Sequence, residues 1–136
     1  AKQDRVDEKR LYAFGHSAGG MVSALLSLHD VSLRHGGSAG SLYGPELFDW
    51  MAETVPFAPH DPRERELRLL LGNTRWMRHA HYAFVGSDDE NQLGKRARAE
   101  AASSGKPLHV ATVPGDHQSS LRPAVVAYLK VIQSTP

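Results

Sequence analysis

The chain has 136 residues, 40% of them hydrophobic, which is the size and composition of one globular domain. Its 16 basic and 15 acidic side chains give a net charge of +1, so the sequence predicts no binding to nucleic acid or an anionic membrane surface. No apolar run is long enough to span a bilayer, and the absence of cysteine excludes disulfides, thiolate chemistry and Cys-ligated zinc.

The first predicted elements are a strand and a helix on either side of a glycine-rich turn. After a charged segment, residues 1–9, the apolar residues 11–14 predict a short buried parallel strand. Residues 18–29 predict a helix. Residues 31–33 could begin a second strand, and the glycines and serines of residues 36–41 are expected to break regular structure. The helix is expected to have one broad buried face, formed by Met21, Val22, Leu25, Leu26 and Leu28.

The rest of the chain alternates predicted strands with predicted helices. Residues 42–59 are irregular and aromatic, and they either cap a pocket or pack their own rings on the domain. Since strands and helices alternate, we expect an α/β fold with about four parallel strands, flanking helices and right-handed crossovers. The strands are predicted at 81–85 and 108–113, and the helices at 63–71, 92–103 and 123–132.

The glycine-rich turn carries the pattern G-x-S-x-G, from Gly15 to Gly19, between the first strand and the first helix. In this context the pattern predicts a sharp turn that exposes the Ser17 hydroxyl as a nucleophile. Gly15 and Gly19 are expected because a Cβ at either position would clash with neighbouring backbone. The Ala18 N–H, at the helix start, is predicted to donate to a developing oxyanion. A turn with an idle serine, or one that binds phosphate, remains an alternative.

Candidate acids and a candidate base follow the later strands. Asp88 and Asp89 come after the third predicted strand, and His117 comes after the fourth. Because the carboxyl ends of parallel strands meet at one edge of a sheet, these side chains should lie near Ser17. A hydroxyl needs a base to become a nucleophile, and a carboxylate can orient that base. A capping role for either aspartate and an exposed loop position for His117 are the alternatives.

Three other histidines are candidates for a chemical or a structural role. His16 lies inside the turn and is expected to line a pocket or pack there, because adjacent residues point in different directions. His79 and His81 would share a strand face and are a possible metal pair. No carboxylate or cysteine lies close to them in the sequence, so no metal site is predicted. No cofactor is expected.

Four segments, residues 6–11, 15–20, 85–90 and 114–117, together resemble serine α/β-hydrolases. The relevant group holds carboxylesterases, dienelactone-hydrolase-like enzymes and prolyl-oligopeptidase-like peptidases. The resemblance implies a partial α/β-hydrolase fold in which residues 1–136 form the C-terminal portion of one domain and the N-terminal strands are absent. In the family pattern the acid lies three residues after a loop glycine, which favours Asp89 over Asp88.

The function implied is a serine hydrolase that cleaves a small-molecule carboxylic ester through an acyl-enzyme. Ser17 would attack, His117 would act as base and then acid, and Asp89 would orient His117. A peptidase of prolyl-oligopeptidase type and a non-catalytic hydrolase-derived module are the alternatives. The free edge of the first strand is expected to pair with a second chain or another copy. Without the earlier oxyanion loop, the isolated chain is expected to be weakly active.

Overall fold

The computed structural model describes residues 6–29, 32–41, 78–89 and 108–136. No helix within these ranges has both the length and the apolar character needed to cross a membrane. The proposed cap, residues 42–59, and the helices predicted at 63–71 and 92–103 lie outside them. After a short 3-10 turn at Glu8–Arg10, the elements are β1 (Leu11–His16), α1 (Ala18–His29), β2 (Leu33–Ala39), β3 (His81–Gly86), β4 (Leu108–Val113) and α2 (Leu121–Ser134).

The described strands form one parallel sheet in the order β1-β2-β3-β4. This confirms the predicted α/β class with four parallel strands. The register pairs Ala39 with both His16 and Phe84, and Gly86 with Val113, so the carboxyl ends of the strands are aligned. β1 lies at one end of the order, with β2 as its neighbour among the described strands. The pairing of its other edge with a second chain stays a prediction.

The two described helices cover opposite faces of the sheet. A Cβ at Gly36 would lie 2.6 Å from the Ser27 hydroxyl of α1, whereas a Cβ at Gly37 would lie 2.8 Å from the Tyr128 ring of α2. Successive residues of a strand point to opposite faces, so these two neighbours identify which helix covers which face. β2 is therefore enclosed between α1 and α2.

The face under α2 contains the apolar core. Tyr128 stands at its centre, and its hydroxyl donates to the carbonyl of His35 at 3.1 Å and lies 3.0 Å from His35 Nδ1. Burial raises the pKa of Tyr128, and burial together with Arg34 lowers the pKa of His35. The buried apolar residues of this face are Ala39, Phe84, Val113, Ala124 and Tyr128.

The face under α1 contains a cluster of buried polar side chains. The fully buried His81 has Nδ1 3.0 Å from the Ser27 hydroxyl and Nε2 3.0 Å from the Ser38 hydroxyl. Burial lowers the pKa of His81 to about 3. The predicted buried face of α1 was partly wrong, because Val22 and Leu26 are 56% and 44% exposed. Serine and alanine face the sheet instead, since small side chains allow the helix to approach it closely.

The sequence-based boundary of β2 was also wrong. Residues 36–39 were expected to break regular structure, yet they lie inside β2, which begins at Leu33. The disruption begins only at Gly40, whose φ is 60°. Glycine is unfavourable in an average strand, but β2 runs between two closely packed helices, and Gly36 and Gly37 have no space for a side chain. At the C-terminus, α2 extends beyond the predicted 123–132 at both ends.

Candidate functional site

Ser17 occupies a strained turn between β1 and α1. Its φ of 52° makes it the one described residue other than glycine with a positive φ, which an L-residue adopts only at an energetic cost. Backbone contacts hold it there: its N–H donates to the Ala39 carbonyl at 2.8 Å, and its carbonyl accepts from the Gly20 N–H at 3.0 Å. The Ser41 hydroxyl donates to the same carbonyl at 2.7 Å. The turn thus connects the carboxyl ends of β1 and β2 to the start of α1.

Two glycines allow this turn to close. A Cβ at Gly15 would overlap the Gly19 carbonyl, as expected from the sequence, and a Cβ at Gly20 would overlap the Ser41 hydroxyl. The steric expectation at Gly19 itself was wrong. A Cβ there would meet nothing within 4 Å, because Gly19 lies on the exposed side of the first helical turn. Gly15 and Gly20 together let α1 start this close to the sheet.

His117 lies between Ser17 and Asp89. Its Nε2 is 3.1 Å from Ser17 Oγ, and its Nδ1 is 3.0 Å from Asp89 Oδ2. The Asp89 side chain is 1% exposed and the His117 side chain 32% exposed. A carboxylate only accepts hydrogen bonds, so the neutral ring carries its proton on Nδ1, and the Nε2 lone pair is free to accept from the Ser17 hydroxyl. Asp88 is exposed, and Asp89 is the aspartate that contacts His117.

The loop that carries His117 is held by its own hydrogen bonds. Asp116 Oδ1 accepts from the N–H groups of Gln118 at 3.0 Å and Ser119 at 2.8 Å, and from the Ser119 hydroxyl at 2.7 Å. These hydrogen bonds, that from the Ser119 N–H foremost, lower the pKa of Asp116. The Asp88 N–H donates to the Gly115 carbonyl at 3.0 Å, which ties this loop to the one carrying Asp89. The two loops therefore hold acid and base in a fixed relation.

Two contacts with His117 gave no usable signal in the sequence. Gly40 lies against the imidazole, and a Cβ there would be 2.9 Å from both Nδ1 and Cε1 of the ring. His16 Nε2 lies 2.7 Å from the His117 carbonyl oxygen, and the two rings are 5.0 Å apart. A glycine beyond the end of a strand indicates a turn, but only the three-dimensional structure shows which side chain fills the space beside it.

The surroundings of His81, one of the two histidines considered as a metal pair, do not resemble a metal site. Each ring nitrogen of His81 lies within hydrogen-bond distance of a buried serine hydroxyl. In the part of the chain that the structure describes, no three histidine or acidic side chains gather as a metal would require. His81 is therefore best described as part of the buried polar packing between α1 and the sheet.

Together these distances describe an imidazole that lies between a hydroxyl and a carboxylate, at the carboxyl edge of a parallel sheet. Such an arrangement can remove the proton from the hydroxyl as it attacks, because the imidazole accepts at Nε2 while the carboxylate stabilises the resulting cation at Nδ1. The same edge also presents the N-terminus of α1, where the first N–H groups have no acceptor within the helix.

Three solved structures with this architecture belong to larger proteins. An S-formylglutathione hydrolase from Staphylococcus aureus matches with a TM-score of 0.62 at 15% identity, over 94% of this chain and 52% of its own. The capsule O-acetyltransferase of Neisseria meningitidis serogroup A matches with a TM-score of 0.63 at 12% identity, over 95% of this chain and 59% of its own. An acylaminoacyl peptidase from Pyrococcus horikoshii matches with a TM-score of 0.58 at 16% identity, over 93% and 22%.

The fold is that of part of an α/β-hydrolase. This confirms the resemblance drawn from the four sequence segments. The chain spans only 22% to 59% of the length of these three structures, so their activities are not carried over with the fold. No protein-family model matches the chain. No curated protein matches it by sequence.

Proposed function

We propose that this chain carries the nucleophile, base and acid of a serine hydrolase that cleaves carboxylic esters through an acyl-enzyme. The observation that supports this most strongly is the pair of distances around His117, 3.1 Å to Ser17 Oγ and 3.0 Å to Asp89 Oδ2. The strained φ of Ser17 adds to it, because strain of this kind is concentrated at functional sites.

The first half of the reaction forms the acyl-enzyme. Ser17 Oγ attacks the ester carbonyl carbon while His117 Nε2 takes the hydroxyl proton, and Asp89 stabilises the imidazolium through Nδ1–H. The carbonyl oxygen becomes an oxyanion, to which the Ala18 N–H donates from the start of α1. The C–O bond to the alcohol then breaks, and the proton on Nε2 passes to the departing alcohol oxygen.

The second half restores the free serine. Water attacks the acyl carbon and gives a proton to His117 Nε2. This attack forms a second tetrahedral intermediate at the acyl carbon. This intermediate collapses with cleavage of the bond to Ser17 Oγ, which takes the proton back from His117. The products are a carboxylic acid and the alcohol released earlier, and no cofactor enters the balance.

The direct test is covalent labelling of Ser17 by a fluorophosphonate, followed by peptide mass spectrometry. We expect labelling at Ser17, its loss in Ser17→Ala and its retention in Ser134→Ala, a matched control at an exposed helical serine. The assay is run on this chain and on the longest natural form of the protein that contains it. Failure of the longer form to react at Ser17 would refute the proposal and favour a non-catalytic hydrolase-like module.

Ester hydrolysis is measured in parallel with p-nitrophenyl acetate. Short acyl esters are the first choice because two of the structurally similar enzymes are named for formyl and acetyl compounds. Activity confined to the longer form would indicate that groups outside this chain complete the oxyanion site. Loss of one oxyanion donor typically lowers turnover by about 10²–10³-fold.

A further inference from the structure

We infer that His16 is a positioning residue for His117, acting through the main chain of the base. This inference rests on the proposed function. His16 Nε2 lies 2.7 Å from the His117 carbonyl oxygen, which is among the shortest hydrogen bonds at the site. A carbonyl oxygen only accepts, so His16 carries a proton on Nε2 and donates it. His16 therefore does not compete with His117 for the Ser17 proton through that nitrogen.

The position of His16 in the chain gives this contact its significance. It is the last residue of β1 and is bonded directly to Ser17. One short segment thus supplies the nucleophile and also holds the loop that carries the base. The donor, His16, precedes His117 by 101 residues in the chain. A shift of the His117 loop relative to Ser17 would have to break this hydrogen bond.

Among the described residues, the other close contacts of His117 act mostly on its ring. Asp89 fixes the ring at Nδ1, and Gly40 closes the space beside Nδ1 and Cε1. The Ser120 hydroxyl donates to the His117 carbonyl, but at 3.5 Å it is a weak bond. Of the described hydrogen bonds to the His117 carbonyl, the one from His16 is the shorter, and it links the base to the strand bearing Ser17.

The expected effect of losing this bond is on the chemical step. Because His16 touches the backbone of the base, its loss should lower the maximal rate of Ser17 labelling and kcat by about tenfold or more, with KI and KM little changed. A displacement of about 1 Å at a reacting group can cost about 10²-fold in rate. A purely structural role would instead change stability, or affect binding and chemistry together.

The experiment compares His16→Gln with His16→Asn in the longest natural form of the protein. The Gln amide nitrogen reaches the position of the imidazole Nε2, whereas the Asn amide is one carbon shorter and does not reach the carbonyl. Both side chains are polar and similar in chemistry, so they form a matched pair. His16→Met, close in volume but without a donor, is the third variant. Thermal unfolding of each variant establishes that it is folded.

We expect fluorophosphonate labelling by His16→Gln to stay near the unsubstituted rate, and labelling by His16→Asn and His16→Met to fall by about tenfold or more. Equal labelling rates in the folded Gln and Asn variants would overturn the role of His16 and leave the proposed function standing. Absence of Ser17 labelling in the unsubstituted protein would overturn both.

Discussion

The buried imidazole of His81 makes the protein sensitive to acid. Its pKa is lowered from 6.5 to about 3 by burial, with a smaller contribution from His35. The folded-state pKa lies below the unfolded-state value, so the unfolded chain binds the proton more readily between these two pH values. The stability due to the neutral ring is fully present above about pH 6.5 and is lost progressively as the pH falls towards 3.

The size of the effect follows from the two pKa values. A difference of one pKa unit corresponds to about 1.4 kcal/mol. Between about pH 7 and about pH 5, the unfolded histidine becomes protonated while the folded one stays neutral, and the free energy of unfolding falls by about 2 kcal/mol. The pKa of His35 is lowered as well, by burial and by Arg34, so its contribution has the same sign.

Urea denaturation at the two pH values measures this loss, with His81→Gln as the non-titrating variant and His109→Gln as the control. His109 lies on the exposed side of β4, so its replacement is a matched substitution outside the buried polar cluster. We expect the unsubstituted protein and the His109 variant to lose about 2 kcal/mol more than His81→Gln between pH 7 and pH 5. An equal loss in all three proteins would refute the argument that His81 is buried in its neutral form.

Two further matched pairs test the site. Asp89→Asn should lower p-nitrophenyl acetate hydrolysis by about 10³–10⁴-fold because an amide cannot hold the Nδ1–H tautomer of His117, whereas the exposed Asp88→Asn should leave the rate near the unsubstituted value; the reverse order would reassign the acid. Gly40→Ala should reduce Ser17 labelling by about tenfold or more because its Cβ would meet the His117 ring at 2.9 Å, while Gly19→Ala, whose Cβ meets open space, should label normally. Equal labelling of the two alanine variants would contradict the contact with Gly40.

The sequence was sufficient to predict that a serine, an aspartate and a histidine come together. This depends only on which residues follow each strand along the chain. Ser17, Asp89 and His117 each follow a segment with a clear strand pattern, and parallel strands present their carboxyl ends at one edge. The choice between Asp88 and Asp89 depended on the family pattern, since adjacent loop residues look alike in composition. Coordinates distinguish them, because only Asp89 is placed with its carboxylate against His117.

Sequence patterns are misleading where close packing replaces hydrophobic burial. Gly36 and Gly37 resemble a loop because strands normally favour β-branched and aromatic residues. Val22 and Leu26 resemble a buried helix face, yet the sheet-facing side of α1 includes Ser23 and Ser27, whose hydroxyls bond to main-chain carbonyls. Which face of a helix meets its neighbour is a tertiary property, and average hydrophobicity does not determine it.

This close packing also explains how Ser17 comes to be positioned. A Cβ at Gly15 or Gly20 would overlap neighbouring atoms, so either substitution would push the start of α1 away from the sheet. Ser17 would be displaced with it, because its carbonyl accepts from the N–H of Gly20 in the first turn of α1. Since a reacting atom displaced by about 1 Å can lose about 10²-fold in rate, the small residues under α1 serve the geometry of the nucleophile more than the hydrophobic core.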